Sequence, residues 1–152
     1  MNEIIFTKSA KQTQKIASNL SRRILKSNPA GKAAVIGLIG DLGSGKTVFA
    51  KGFAKGLGVK ENIVSPTFVI ERVYRLKSKN YKLFIHIDAY RIEKSGEIMD
   101  LGFKDLVSDS KNIILIEWAD RIKSILPKNC VRIKFEHAGK NKRKIAIKIP
   151  NV

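Results

Sequence analysis

The chain has 152 residues, of which 43% are hydrophobic and 28% are charged, a composition typical of a folded protein, and residues 1–152 are predicted to form a single domain. Its one cysteine, Cys130, excludes an intrachain disulfide and a cysteine-based metal cage. The longest uncharged apolar run, Ala33–Gly40, is far shorter than the roughly 20 residues of a membrane-spanning helix. Lysines soon after Phe6 do not fit a secretory signal. We therefore expect a cytoplasmic protein with no membrane contact.

Positive charge is distributed unevenly along the chain. The formal net charge is +17, from 30 Lys and Arg against 13 Asp and Glu, and residues 1–32 and 128–148 together carry +13 of it. Such a field favours contact with nucleic acid or with an acidic partner. The alternative is a lysine-rich solvated surface, because these two segments lack the interleaved aromatic residues of a base-stacking platform. Both interpretations stay open.

Apolar periodicity predicts strands that alternate with helices. Ser9 is the predicted N-cap of a helix over Ala10–Lys26, in which Ile16, Leu20 and Ile24 recur four residues apart. The other predicted helices are Lys46–Leu57, Glu93–Leu101, Lys104–Ser108 and Ala119–Leu126. The predicted strands are Ile4–Phe6, Ala33–Ile39, Phe68–Arg75, Tyr81–Ile87, Asn112–Ile116, Val131–Glu136 and Lys144–Ile149. Together they predict a three-layer α/β fold with a mixed sheet, parallel core strands, flanking helices and antiparallel edge hairpins.

Residues 40–47, GDLGSGKT, match the phosphate-binding pattern G-x-x-x-x-G-K-[ST] without a departure. Glycines let successive backbone N–H groups turn inward, and the next helix adds its positive N-terminal end. Lys46 is expected to contact the β- and γ-phosphates as a catalytic residue, and the Thr47 hydroxyl to ligate Mg²⁺. A buried strand before the motif and a helix after it disfavour the alternative, a glycine-rich turn with an exposed lysine. The predicted nucleotide-binding residues here are Asp41, Leu42, Gly43, Ser44, Gly45, Lys46, Thr47 and Val48.

Glu117 follows four apolar residues, Ile113–Ile116, which is the pattern of a Walker B strand with glutamate in place of the more common aspartate. Mg²⁺ takes carboxylate, hydroxyl and phosphate oxygens. Thr47 and Glu117 are therefore the predicted metal ligands, and the alternative is a strand-end glutamate that faces solvent. Trp118, which follows, is predicted to pack rather than to take part in chemistry.

Asp88 is a second candidate acid at the end of a predicted strand. It could orient water at a γ-phosphate, and a role as an N-cap or in an Asx turn explains it equally well. His86 lies on the same strand face and is predicted to be structural. Ser65 and Thr67 flank Pro66, and their hydroxyls suit a switch loop that closes on the γ-phosphate. Without a nucleotide site they would be ordinary turn residues.

Four motifs in this order resemble the signatures of the bacterial TsaE (YjeE) family. They are Gly40–Thr47, Ser65–Phe68, His86–Arg91 and Leu115–Trp118, and the resemblance covers nearly the whole chain. The family comprises P-loop ATPases required for N6-threonylcarbamoyladenosine at position 37 of tRNA. The resemblance implies a P-loop NTPase-like fold, ATP and Mg²⁺ as cofactors, and ATP hydrolysis that resets a TsaB–TsaD complex between modification cycles. Weak hydrolysis without that complex is expected.

The resemblance also implies roles for single residues. Lys46 and the Gly43–Gly45 backbone would hold the phosphates, Thr47 and Glu117 would hold Mg²⁺, and Asp88 would be needed for hydrolysis. The Ser65–Thr67 segment would be the switch loop, with Ser65 and Thr67 near the nucleotide. Thr13 matches a family threonine near the nucleotide, and Trp118 is a signature position. Two residues depart from the family pattern: Val48 replaces a usual threonine, and Ala89 a frequent leucine.

A small-molecule P-loop kinase is the main alternative. A kinase needs an acceptor pocket and an arginine-bearing lid, and no lid-sized insertion is evident in the sequence. A regulatory GTPase is weaker, because no Asn-Lys-x-Asp motif occurs. A nucleic-acid-binding module is insufficient by itself, but weak tRNA contact through the basic termini is an expected added property. Because Lys140, Lys142, Arg143 and Lys144 lie far along the chain from the P-loop, we expect their reversal to leave basal ATPase activity unchanged.

Overall fold

The computed structural model describes residues 2–63 and 71–151. Its strands are β1 (Asn2–Thr7), β2 (Ala34–Ile39), β3 (Glu71–Arg75), β4 (Leu83–Asp88), β5 (Asn112–Glu117), β6 (Val131–Gly139) and β7 (Lys142–Lys148). Its helices are α1 (Ala10–Lys26), α2 (Lys46–Gly56), α3 (Ser95–Met99), α4 (Phe103–Ser108) and a 3₁₀ helix (Ala119–Ile125). The predicted site residues Ser65 and Thr67, and the predicted strand residues 68–70, lie outside the described residues.

One mixed sheet contains all the described strands, in the order β1-β7-β6-β2-β5-β4-β3. The four middle strands β6, β2, β5 and β4 are parallel, whereas β3 and the β7–β1 pair add antiparallel edges. The predicted mixed sheet with parallel core strands and antiparallel edge hairpins is confirmed. All six residues of β5 are buried, as expected for a central strand with both faces covered.

Helices cover the sheet from both sides, which gives the three predicted layers. On one side, α1 and α2 enclose a core that includes Phe49, Phe53 and Phe84. On the other side, α3, α4 and the 3₁₀ helix enclose a second core that includes Ile98 and Phe103. Burying apolar surface in both clusters is the main favourable contribution to folding. None of the helices in the described ranges is long and apolar enough to cross a membrane.

The helix α1 begins where the sequence predicts. The Ser9 side chain accepts a hydrogen bond from the backbone N–H of Gln12 at 3.1 Å, which satisfies a donor that the first helical turn leaves free. Buried Thr13, Ala17 and Ser21 mark the face of α1 that packs inward. The helix therefore places the Thr13 side chain toward the protein interior near its own N-terminus.

Several predicted boundaries are wrong by a few residues. The strand predicted over Tyr81–Ile87 is Leu83–Asp88, and the helix predicted over Glu93–Leu101 is only Ser95–Met99. The Glu97 carboxylate accepts from the N–H groups of Glu93 and Lys94 at 3.3 Å each, and so caps a helix that starts after them. The segment predicted as a helix over Ala119–Leu126 is a 3₁₀ helix over Ala119–Ile125, interrupted at Ile122, which has non-helical backbone angles. The intrinsic helix and strand propensities of the residues do not determine where these elements begin and end.

Candidate nucleotide-binding site

The candidate site lies where the parallel strands β2, β5 and β4 reach their carboxyl ends. The P-loop follows β2, Glu117 ends β5, and Asp88 ends β4 directly opposite Glu117 in the register. Ligands of open α/β sheets bind at this edge. A cavity of about 340 Å³ opens there, between the P-loop and the ends of β4 and β5. The sheet therefore brings together three predicted site segments that are far apart in sequence.

The P-loop turns sharply before α2 begins. Gly43 has a φ of 76° and Gly45 a φ of 108°, values in the left-handed region that only glycine adopts at little cost. The Ser44 N–H donates to the Asp41 carbonyl at 3.1 Å, and the Phe49 N–H donates to the Gly45 carbonyl at 2.9 Å. Leu42 is 77% exposed at the tip of the loop. A glycine-rich turn of this kind before a helix can form a nest of N–H groups for an anion.

The Lys46 side chain is buried under the loop that contains it. Its ammonium donates to the carbonyls of Gly40 and of Asp41, the latter at 2.8 Å, and to the Ser44 hydroxyl at 3.3 Å. Burial lowers the pKa of the Lys46 ammonium, and the Glu117 carboxylate opposes this shift. The cation thus lies next to the loop that is predicted to bind phosphate.

Glu117 is held between α2 and β4. Its Oε1 accepts from the Thr47 hydroxyl at 3.1 Å, and its Oε2 lies 2.7 Å from Nε2 of His86. The carboxylate is only 2% exposed, so it depends on these partners for its polar contacts. The strand-end glutamate therefore faces the P-loop and not solvent. His86 is fully buried and fixes the orientation of the carboxylate, a positioning contact that strand position alone did not reveal.

The Thr47–Glu117 pair matches the chemistry of a magnesium site. Hydroxyl and carboxylate oxygens are hard ligands, and Mg²⁺ usually adds phosphate oxygens and waters to one or two of them. Within residues 2–63 and 71–151, no three His, Cys, Asp or Glu side chains are grouped to hold a metal ion. The residues present therefore fit an ion that is shared with a nucleotide, and do not fit a metal cage made by the protein alone.

Asp88 takes part in a turn and also lines the cavity. Its Oδ1 accepts from the Tyr90 N–H at 3.0 Å, which is the hydrogen bond of an Asx turn. The side chain lies at the same edge as Thr47 and Glu117 and borders the same opening. The two interpretations of Asp88, turn residue and hydrolytic residue, are therefore geometrically compatible.

Trp118, which the sequence predicts to pack rather than to take part in chemistry, packs beside the P-loop lysine. Its ring centroid is 4.0 Å from Nζ of Lys46 and 4.9 Å from the ring of Tyr90. A positive φ of 57° at this residue turns the chain sharply after Glu117 and brings the indole over the ammonium. A cation–π contact of this kind is worth up to about 2 kcal/mol when it is desolvated. The indole therefore helps to fix the position of the Lys46 side chain.

Arg143 is the site residue that sequence reasoning missed. Its Nη2 donates to the Gly43 carbonyl at 3.2 Å and its Nη1 to the Lys142 carbonyl at 2.9 Å, and its side chain borders the cavity beside Gly45. The expectation that this part of the hairpin lies far from the P-loop is therefore wrong for Arg143. Separation along the chain misleads here because the β6–β7 hairpin folds back against the P-loop.

A second cavity of about 330 Å³ adjoins the first on the side of α1. It is lined by Ser9 and Thr13 of α1, by Gly45 and Val48 of the P-loop region, and by Arg143. The Thr13 hydroxyl lies 2.9 Å from the Thr7 hydroxyl. The structure thus brings Thr13 to the P-loop. Val48 lines both cavities without a hydroxyl.

Comparisons with known proteins identify the family that the motifs suggest. The family model described as Threonylcarbamoyl adenosine biosynthesis protein TsaE matches residues 7–145. A protein named tRNA threonylcarbamoyladenosine biosynthesis protein TsaE from Rickettsia typhi is 36% identical over 144 residues, which are 94% of this chain and 92% of that protein. A protein of the same name from Bacillus subtilis is 40% identical over 111 residues, 73% of this chain and 66% of that protein.

A solved structure shows the same fold. The crystal structure of Bacillus subtilis YdiB matches this chain with a TM-score of 0.77 and 28% sequence identity, and the match covers 99% of this chain and 87% of that one. Sequence and fold comparisons thus agree with each other and with the resemblance drawn from the motifs. The chain belongs to the TsaE family of tRNA threonylcarbamoyladenosine biosynthesis proteins.

Proposed function

We propose that this protein is a Mg²⁺-dependent ATPase that acts on a TsaB–TsaD complex during tRNA threonylcarbamoyladenosine synthesis. The observation that carries the proposal is the 3.1 Å contact between the P-loop hydroxyl of Thr47 and the buried Glu117 carboxylate. A phosphate-binding loop with an acid at the end of an adjacent strand is the arrangement that P-loop nucleotide hydrolases use. The supporting context is membership of the family.

The two adjoining cavities suggest how a nucleotide would lie. The loop N–H groups of residues 43–45 and the Lys46 ammonium would bind the phosphates, and the cavity beside Thr13 would receive the nucleoside. Arg143 borders both cavities, so its guanidinium would contact the phosphates from the side of the hairpin. When bound, Mg²⁺ would neutralise charge on the phosphates, with Thr47 and Glu117 as its protein ligands.

Asp88 is the residue that we assign to hydrolysis. Its Oδ1 is engaged by the Tyr90 N–H, which fixes the carboxylate at the mouth of the cavity. A carboxylate held there could orient a water molecule toward a γ-phosphate. Ser65 and Thr67, which the family resemblance implies as parts of a switch loop, would complete the site. Hydrolysis would then be coupled to the partner complex, in the cytoplasm, where we expect the protein to act.

The test is ATP hydrolysis by the full chain with and without purified TsaB and TsaD. We expect slow hydrolysis that requires Mg²⁺ and that increases when the partners are added. Asp88→Asn should bind ATP normally and hydrolyse it poorly, because the amide keeps the shape but loses the negative charge. The matched control is Asp105→Asn, which alters an exposed carboxylate on α4.

Three results would each contradict a part of the proposal. Hydrolysis by Asp88→Asn at the wild-type rate would reduce Asp88 to a turn residue. Rapid phosphate transfer to a metabolite, with little release of inorganic phosphate, would favour the small-molecule kinase instead. A rate that does not respond to the partners would exclude the switch role but not the ATPase assignment.

A further inference from the structure

One face of the sheet lacks a helical cover at strands β1, β7 and β6. The core beneath α1 and α2 takes Ile5, Ile145 and Phe135 from these strands. The core beneath α3, α4 and the 3₁₀ helix takes no residue from any of the three strands. Among the described residues, the second helical layer therefore stops at β2, and the face beyond it is open to solvent.

The strand register determines which side chains share this open face. Phe6 is opposite Lys144, and Ile4 is opposite Ala146, whose other neighbour is Lys134. Directly opposed residues of antiparallel strands place their side chains on the same side of the sheet. We define the open face by seven residues of these strands: Ile4, Phe6, Arg132, Lys134, Glu136, Lys144 and Lys148. Neighbouring strands are only about 5 Å apart, so the aromatic ring and the cations are close together.

Both apolar residues of the open face are strongly exposed. Phe6 is 66% exposed and Ile4 is 59% exposed. Along the sequence, the basic terminal segments lack the interleaved aromatic residues of a base-stacking platform, but strand pairing brings one aromatic residue next to the basic hairpin. The antiparallel pairing of β1 with β7 places the ring of Phe6 beside Lys144. An exposed ring among cations can stack on a base while its neighbours bind phosphate.

The cations of the open face outnumber the acids. Arg132, Lys134, Lys144 and Lys148 share the face with Glu136, which is opposite Lys144 in the register. Glu136 lies 3.6 Å from the ammonium of Lys134 and 3.7 Å from that of Lys144. Exposed pairs at such distances contribute little. A polyanion can therefore displace the Glu136 carboxylate from Lys134 and Lys144 at a small cost in free energy.

We propose that the open face binds an unpaired loop of RNA, with Phe6 stacked on a base and Lys134, Lys144 and Lys148 on phosphates. A solvent-exposed sheet face with aromatic residues is a recurring platform for single-stranded RNA. The positive charge of the open face excludes a basic partner. The exposed Phe6 ring favours unpaired bases, because the bases of a duplex are already stacked on one another. The proposal goes beyond the proposed ATPase function, and it assigns the tRNA contact expected of the basic termini to particular residues.

The experiment measures binding of fluorescently labelled unmodified tRNA transcript, of a short unstructured oligoribonucleotide and of duplex RNA to the full chain. Phe6→Ala should weaken binding of the unstructured RNA by roughly tenfold, because a base–aromatic stack is worth about 1–3 kcal/mol. Phe6→Leu, which keeps an apolar side chain without the π system, should behave similarly. The matched control is Val73→Ala, since Val73 is a 51% exposed apolar residue on the opposite edge strand.

A charge reversal tests the phosphate contacts separately. Lys134→Glu combined with Lys148→Glu should reduce the slope of log affinity against log salt by about 1.4, because each phosphate contact on a single strand contributes about 0.7. The matched control reverses Lys104 of α4 and Lys111 directly before β5, two exposed lysines outside the open face. Preference for duplex RNA, or equal tRNA binding by the Phe6 and Val73 variants, would overturn the proposal.

Two further measurements distinguish RNA binding by the open face from ATP binding at the candidate site and from docking of TsaB–TsaD. ATP binding by the Phe6 and Lys134/Lys148 variants should equal that of the wild type, because none of these residues borders the nucleotide cavities. Lys46→Ala should lose ATP affinity and keep RNA affinity. If the open-face variants instead lose TsaB–TsaD binding and retain RNA binding, the face is a protein-docking surface and the RNA proposal is wrong.

Discussion

At the scale of single residues, the site depends on a few side chains that hold one another. His86 orients Glu117, Glu117 accepts from Thr47, and Trp118 lies over Lys46. These contacts are made within the protein itself, so they fix the side chains of the proposed nucleotide site relative to one another. Such preorganisation lowers the entropy that binding must remove. Substitutions of Lys46, Glu117 and Arg143 test how much each side chain contributes to the binding of ATP or Mg²⁺.

Lys46→Ala should weaken ATP binding by about tenfold to a hundredfold. The reason is the loss of a charge-assisted contact, which is worth roughly 1.5–3 kcal/mol. Titration calorimetry of the folded variant measures the affinity, and Lys51→Ala is the control because Lys51 is an exposed lysine of the same helix. Equal affinity for ATP in Lys46→Ala and the wild type would remove Lys46 from the site.

Glu117→Gln should raise the Mg²⁺ concentration needed for half-maximal hydrolysis. The amide is nearly isosteric and can still accept from Thr47, but it lacks the charge that a hard cation prefers. A magnesium titration of the ATPase rate provides the measurement, with Glu93→Gln as a control at an exposed position before α3. A magnesium profile identical to that of the wild type would rule out Glu117 as a ligand.

Arg143→Ala should lower ATP affinity by roughly tenfold, since a guanidinium beside the P-loop can make a charge-assisted hydrogen bond to phosphate. Arg143→Lys should be intermediate, because lysine keeps the charge but loses the planar fork. The control is Lys140→Ala, an exposed residue of the same hairpin. If Arg143→Ala binds ATP as tightly as the control does, Arg143 serves only to donate a hydrogen bond to the Gly43 carbonyl.

At the scale of elements, the β6–β7 hairpin determines where Arg143 lies. The two strands are predicted to be separated by residues 137–143, but β6 continues to Gly139 and β7 begins at Lys142, which leaves a tight turn. Gly139 with a φ of 132° and Asn141 with a φ of 60° form this turn, and the register shifts between His137 and Gly139. A bulge of this kind redirects the following side chains. The hairpin end therefore reaches the P-loop.

The packing of α1 against α2 requires a glycine at position 52. A Cβ there would lie 2.3 Å from the Gln14 carbonyl oxygen and 2.5 Å from its Cα, and backbone cannot yield as a flexible side chain can. Gly52→Ala should therefore destabilise the protein by at least about 1–3 kcal/mol, the usual cost of overpacking. Chemical denaturation measures the free energy of unfolding.

The control for this prediction is Gly96→Ala in α3. No atom lies within 4 Å of a Cβ built at Gly96, so the substitution should be neutral or should stabilise by about 0.4–1 kcal/mol. If the Gly52 variant is as stable as the Gly96 variant, α1 and α2 can move apart at little cost in free energy.

At the scale of the whole molecule, a net charge of +17 on 152 residues opposes compaction. Raising NaCl from about 10 mM to 150 mM shortens the Debye length from about 30 Å to 8 Å. The melting temperature of the nucleotide-free protein should therefore rise over this range. Replacing the exposed residues Lys11 and Lys15 by glutamine should reduce that rise. A melting temperature that falls with salt would show that favourable ion pairs outweigh the repulsion.

The sequence by itself determined the fold class and the position of the candidate phosphate-binding loop. Local sequence patterns reveal the continuous apolar strands, the Ser9 cap and the loop at residues 40–47. Strand burial, helix capping and the backbone conformation of a loop each depend on adjacent residues. The order of motifs was sufficient to indicate the family. These features are short-range, and so they can be predicted without knowledge of which segments meet.

Only the tertiary structure decided which distant groups share the site and which face stays open. Arg143 and Gly43 are 100 residues apart in sequence, and His86 and Glu117 are 31 apart. Such contacts depend on strand order and register, where a shift of one residue would turn every side chain to the other face. The same register brings Phe6 beside Lys144. Neither the composition nor the periodicity of a strand contains that information, because each strand can pair with several partners.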